Sequence, residues 1–165
     1  MSYPEPLYHA ETGEVSGTLR PGGSEPELRI GGPDGTHVRY LATGATTCGL
    51  FGLYRWDMGP GPSGPGAHFH RTMAESFYVL SGTIRLYDGA TWVEGTAGDF
   101  LHIPPGGVHA FRNESGEPAS MLLHFAPGAP REAYFEELAE IAATGRTLTP
   151  EEWTELYLRH DQYMV

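Results

Sequence analysis

The sequence predicts an all-β barrel or sandwich with helices appended at its C-terminal end. Short β-prone runs recur from His37 to Phe125, separated by turns rich in Gly and Pro. Beyond Pro127-Gly128 the apolar spacing changes from strand alternation to a helical period. The chain holds 23 Gly and 14 Pro, spread along its length, so they punctuate strands and do not mark one disordered tract.

Residues 1–35, rich in Pro, Gly and charge, are expected to form an irregular arm with one short strand near Leu28 to Ile30. The barrel is expected over 36–127. His37 to Ala42 and Cys48 to Trp56 are its first β-prone runs. Residues 59–66 alternate Gly with Pro and Ser, a composition barred from a regular strand or helix, so they form a loop that delivers the next strand. The runs that follow are Ala67 to His70, Glu75 to Leu80, Thr83 to Tyr87, Thr91 to Glu94, Asp99 to Ile103, Val108 to Asn113 and Ala119 to Phe125. Asp88-Gly89 is a hairpin signal, and the spacing throughout indicates mostly antiparallel pairing.

Residues 128–165 are expected to be a helical appendage. Tyr134, Phe135, Leu138, Ile141 and Ala142 mark one helix face, and Gly145 stops that helix. Thr149-Pro150-Glu151-Glu152 reads as N-cap, proline at the first helical position and a capping-box Glu. This second helix carries Trp153, Leu156 and Tyr157 and ends near His160.

A length of 165 residues suits one domain with its own core. The single cysteine, Cys48, excludes an internal disulfide and is expected to pack as a small apolar residue. The net charge is -11 and every basic side chain is an Arg, which disfavours nucleic acid and anionic membranes as partners. No signal-peptide pattern opens the sequence and no run approaches a membrane span, so a cytoplasmic location is expected.

The chemistry concentrates in four residues. His68 and His70, two apart in a β-prone run, share one face about 7 Å apart along the strand. Glu75 follows a segment long enough to turn the chain back onto a neighbouring strand, and His109 lies on another strand after the Pro104 to Gly107 turn. Three neutral imidazoles and one carboxylate suit one divalent transition metal: Fe, Mn, Ni, Co, Cu or Zn. They leave room for exchangeable coordination positions, which a reactive metal requires.

Here the pattern resembles a known family. His68-Phe69-His70, four residues, Glu75, six residues and Gly82 is similar to the first motif of the cupin superfamily. Gly98, five residues, Pro104-Pro105-Gly106, two residues, His109, three residues and Asn113 is similar to its second. The 15 residues from Thr83 to Ala97 between them resemble the compact spacing of microbial single-domain cupins. One departure is Pro62, where the first motif usually opens with Gly; Gly61 and Gly64 flank it. The resemblance implies a double-stranded β-helix, or jelly roll, with a metal held inside by His68, His70, Glu75 and His109. A homodimer is implied in the same way.

If Glu75 points inward, Phe77 and Val79 do so by alternation, and His109 brings Phe111 to the inner face. His102 and Tyr54 are further candidates for the pocket; the apolar members would serve equally as barrel core. Such a pocket suits a small aromatic or polyketide-like substrate. The ligand set and compact barrel resemble bacterial quercetinase-like cupins, which implies a dioxygenase using O2, with Glu75 as ligand and proton acceptor. A non-redox metal-dependent cyclase or isomerase and a non-catalytic small-molecule binder are the alternatives.

Overall fold

The computed structural model describes residues 2–32 and 34–165. Its elements are β1 (Leu28–Ile30), β2 (Thr36–Ala42), β3 (Gly52–Met58), β4 (His68–Phe69), β5 (Ala74–Ser81), β6 (Ile84–Tyr87), β7 (Trp92–Gly95), β8 (Phe100–Ile103), β9 (Ala110–Arg112), β10 (Ala119–Ala126), α1 (Arg131–Thr144), α2 (Pro150–Arg159) and β11 (Tyr163–Met164). A six-stranded sheet runs β1-β2-β3-β10-β5-β8, and a three-stranded sheet runs β7-β6-β9. All named pairings are antiparallel.

Alternation builds the core. Tyr54, Trp56 and Met58 of β3 are buried, while Leu53, Arg55 and Asp57 between them are not. Phe77 and Val79 of β5 and Met121, Leu123 and Phe125 of β10 join that layer, and Ile84, Leu86 and Phe111 from the smaller sheet complete one continuous cluster. The fold is a jelly-roll barrel. Phe77 and Phe111 meet at 5.7 Å between ring centroids, and Trp56 and Phe111 at 6.4 Å, so aromatic rings span the two sheets.

Two stretches depart from expectation. The run from Cys48 enters β3 only at Gly52, because Thr47 Oγ1 accepts from Phe51 N and Gly49 N donates to Gly44 O, drawing the chain into a turn. Cys48 there has φ 53 and is exposed instead of packed. Beyond α2 the chain forms β11, which pairs with β4 and joins the C-terminal residues to the strand bearing His68.

Both helices pack their apolar faces on the barrel: Tyr134, Phe135 and Leu156 belong to the buried cluster, with Leu138, Ile141, Trp153 and Tyr157 against it. Gly145 ends α1 in the left-handed region at φ 64. Thr149 and Glu152 form a complete capping box at the start of α2. Among the described residues no helix is long and apolar enough to cross a membrane.

Candidate metal centre

Two motif segments bring the four residues together through backbone pairing. His68 and His109 exchange both backbone hydrogen bonds, at 3.0 and 2.8 Å. Gly106 N donates to His70 O at 2.7 Å, so the turn before His109 is fastened to the strand end carrying His70. Glu75 sits one residue into β5, opposite Ile103 of β8 and Phe125 of β10. The Gly-Pro loop is anchored from the far side: Ser63 and Asn113 exchange backbone bonds, and Asn113 Nδ2 donates to Gly59 O and Glu117 O. At Gly64 the approach is so close that a Cβ would lie 2.0 Å from Phe111 O, which requires glycine there.

The result is a compact donor set. One donor atom from each of His68, His70, Glu75 and His109 lies within 4.8 Å of the other three, and all four residues are buried. Each imidazole has its Nδ1 against a backbone carbonyl: His68 on Gly66 at 2.8 Å, His70 on Asp161 at 2.5 Å and His109 on Gly107 at 3.0 Å. With Nδ1–H donating, the second nitrogen presents a lone pair. The Nε2 atoms of His70 and His109 stand 3.0 and 2.8 Å from Glu75 Oε2. Lone pairs facing a carboxylate oxygen at that range repel unless a cation lies among them. Either protons or a metal ion must supply it, and these four residues could hold the ion.

The ionisation states agree. Burial pushes His68 down to about 4, ahead of the opposing pull of Glu75, so it is neutral at ordinary pH. Burial alone would raise Glu75, but hydrogen bonds from His109 and His70 outweigh it and hold the carboxyl below its usual range. Burial would likewise lower His109; its bond to Glu75 wins and raises it.

His68 and Glu75 open onto a cavity of about 260 Å³. Its wall includes Trp56, Phe111, Leu123 and Phe125 from the barrel, and Tyr134, Phe135, Leu138, Trp153 and Tyr157 from the two helices. Among the residues anticipated at a pocket, Phe111 lines this cavity. Phe77 and Val79 are fully buried in the barrel core. Tyr54 is also buried, packed edge-on against Tyr40 and Phe135, with its hydroxyl bonded to Glu132 of α1. His102 is exposed on β8, where its Nδ1 pairs with Ser76 Oγ at 3.0 Å.

The C-terminal segment supplies what the sequence did not announce. The Asp161 carbonyl orients His70, and the Asp161 carboxylate accepts from Arg71 N, Thr72 N and Thr72 Oγ1. Arg131 and Gln162 also line the cavity. A signal for Arg131 was present: a cation at the first position of a helix opposes the helix dipole and calls for a compensating reason.

A buried three-histidine, one-carboxylate cluster inside a jelly roll defines the class of a metal-competent β-barrel protein. The family described as the cupin domain matches residues 54–125, and this segment is a cupin domain. A stretch of 48 residues is 35% identical to quercetin 2,3-dioxygenase of Bacillus subtilis, covering 29% of this chain and 14% of that one, so the match spans about a seventh of the curated relative. A cupin-superfamily sugar phosphate isomerase from Silicibacter pomeroyi is 27% identical, with a TM-score of 0.51 over 61% of this chain and 71% of that one. A Thermotoga maritima protein described as a predicted oxalate decarboxylase shares the fold, with a TM-score of 0.57 and 23% identity over 67% of this chain and 98% of its own.

Proposed function

We propose that this protein is a metal-dependent dioxygenase that cleaves a small flavonol-like or other aromatic or polyketide substrate. His68, His70, Glu75 and His109 hold one divalent transition metal. The observation that carries this reading is the four-residue cluster opening onto an aromatic-walled cavity. The partial match to a quercetin dioxygenase supports the substrate class. When bound, the ion supplies a Lewis acid for a substrate oxygen and a redox centre for O2 chemistry.

The chain's own residues do the rest. The carbonyls of Gly66, Asp161 and Gly107 fix the imidazole tautomers. Glu75, whose carboxylate faces the cavity, accepts the proton of a substrate hydroxyl. The helices α1 and α2 wall the cavity and limit water at the reacting atoms. In this reading the barrel over 36–127 carries the chemistry and residues 128–165 form its cover.

The test is oxygen uptake with a flavonol panel after reconstitution with Fe, Mn, Co, Ni, Cu and Zn in parallel. Uptake with a redox-active metal is expected. Glu75→Gln is expected to keep part of the metal and lose turnover by about 100-fold or more. Full activity in that variant refutes the proton-accepting role, and no uptake with any metal excludes flavonol cleavage. A second reading, a non-redox cyclase or isomerase, is favoured by the likeness to the sugar phosphate isomerase. It requires turnover without oxygen and with Zn(II) in place.

A further inference from the structure

The cavity holds a buried cation that the proposed chemistry does not use. Arg131, the first residue of α1, is 4% exposed and lines the cavity beside Glu75 and His68. Its Nη1 donates to His160 O at 2.7 Å and its Nη2 to Gln162 Oε1 at 3.2 Å. Its Nε is buried with no hydrogen-bond partner among the described residues. No carboxylate among those residues forms an ion pair with it; aromatic faces surround it instead, with Tyr134 at 4.4 Å and Phe125 at 5.3 Å from ring centroid to Cζ. Taking a guanidinium out of water without a counter-ion is costly, and cation–π contact recovers only part of that cost.

Its position adds to the imbalance. Arg131 stands at the positive end of the α1 dipole, and Pro130 gives that helix end no side-chain cap. Tyr134, one turn on, accepts from Gln162 Nε2 at 3.1 Å, which leaves its own O–H to donate. Glu75 is the sole carboxylate among the lining residues, and in the proposed function it is committed to the metal. A divalent ion together with Arg131 then leaves the cavity with excess positive charge in apolar surroundings.

We infer that Arg131, with the Tyr134 hydroxyl beside it, forms an anion-binding subsite, so that the substrate is a small aromatic acid, its carboxylate on Arg131 and its ring among Trp56, Phe111 and Phe135. The inference rests on the proposed function for the metal-side end of the substrate and for the commitment of Glu75 to the metal; the buried guanidinium without an ion-pair partner among the described residues does not. The cavity of about 260 Å³ suits a ligand of one or two rings. The net charge of -11 offers an anion no long-range attraction, so recognition has to come from within the cavity.

The experiment is calorimetric titration of the full chain with 2-naphthoate and with 2-naphthamide, its neutral isostere, in metal-free and Zn(II)-loaded protein. Metal-free protein is expected to bind naphthoate about tenfold tighter than the amide. Arg131→Met is expected to erase that preference while amide affinity stays, and Arg131→Lys to keep most of it. Absence of a preference in the metal-free protein, or of naphthoate binding up to millimolar concentration, overturns the inference. So does a preference that survives in Arg131→Met. Because Arg131 also bonds the C-terminal segment, circular dichroism checks that Arg131→Met is folded; if it is not, the metal-free wild-type comparison and Arg131→Lys decide. Zinc uptake is read in the same samples: failure to bind zinc sinks the metal centre alone, and loss of the naphthoate preference with zinc bound sinks the anion subsite alone.

Discussion

The motif strands and the C-terminal segment serve one site in different ways. Residues 68–113 carry every donor atom of the cluster, on strands fastened to each other by the His68–His109 bridge and the Gly106–His70 bond. Residues 131–165 carry no donor atom, yet they orient His70 through Asp161, pair β11 with the His68 strand and wall the cavity. The matched cupin segment ends at residue 125, before any of these contacts. The lesson is a separation of labour: the barrel presents the four donor side chains, and the segment outside it fastens the His70 ring and shapes the cavity.

Breaking each side in turn tests that separation. His109→Ala removes a donor and leaves Glu75 with one imidazole contact instead of two. Metal affinity in a chelator competition should fall by more than about 100-fold, beyond what loss of a supporting contact typically costs. Removing residues 160–165 deletes β11, the Asp161 carbonyl on His70 and the carboxylate that ties down Arg71 and Thr72. It leaves all four donors in place, so affinity should fall by about 10- to 100-fold. An unchanged affinity after that truncation would show that the barrel orients His70 unaided.

The same division explains what the sequence made legible. The convergence of the four side chains could be read because two-residue spacing places His68 and His70 on one face, and turn chemistry at residues 104–107 delivers His109. The caps of both helices could be read because Gly145 and the Thr149 box are local devices. The Asp161 carbonyl could not, since any residue there offers a carbonyl and only tertiary pairing brings it 2.5 Å from His70 Nδ1. β11 is two residues long, too short for a periodic signal. Alternation correctly turned Phe77 and Val79 inward, but inward along this strand leads to the filled core, while the cavity lies toward the helices.

Acid acts next on the motif strands. His68 takes a proton near 6.5 when unfolded and near 4 when folded, because burial disfavours the imidazolium. The folded chain therefore binds fewer protons across that interval, and stability falls as pH drops from about 6.5 towards 4. Glu75, held below 4.5, adds a loss of the same sign further down. His109, raised by Glu75, has the opposite sign: its contribution is complete below the ordinary histidine range and fades as pH rises through its folded value. Urea midpoints of the metal-free protein should therefore peak near neutrality or just below and decline on acidification. A flat profile between 6.5 and 4.5 would mean that His68 is not buried as a neutral ring.

The smallest effect is expected at the outer rim of the cover. Glu137 of α1 accepts from Arg159 Nη2 at 2.7 Å and from His160 Nε2 at 2.9 Å, joining the two helices near the carbonyl that receives Arg131 Nη1. Arg159 is exposed and Glu137 and His160 are only partly covered, and such contacts contribute about 1 kcal/mol. Glu137→Gln should lower the melting temperature by about 1–3 °C and leave metal affinity within about threefold. A loss approaching that of the truncation would place the restraint on His70 in the helix–helix tie, because β11 and Asp161 are intact in this variant. A small loss would leave the restraint with the backbone pairing of β11 and the Asp161 carbonyl, contacts that no side-chain substitution at the rim removes.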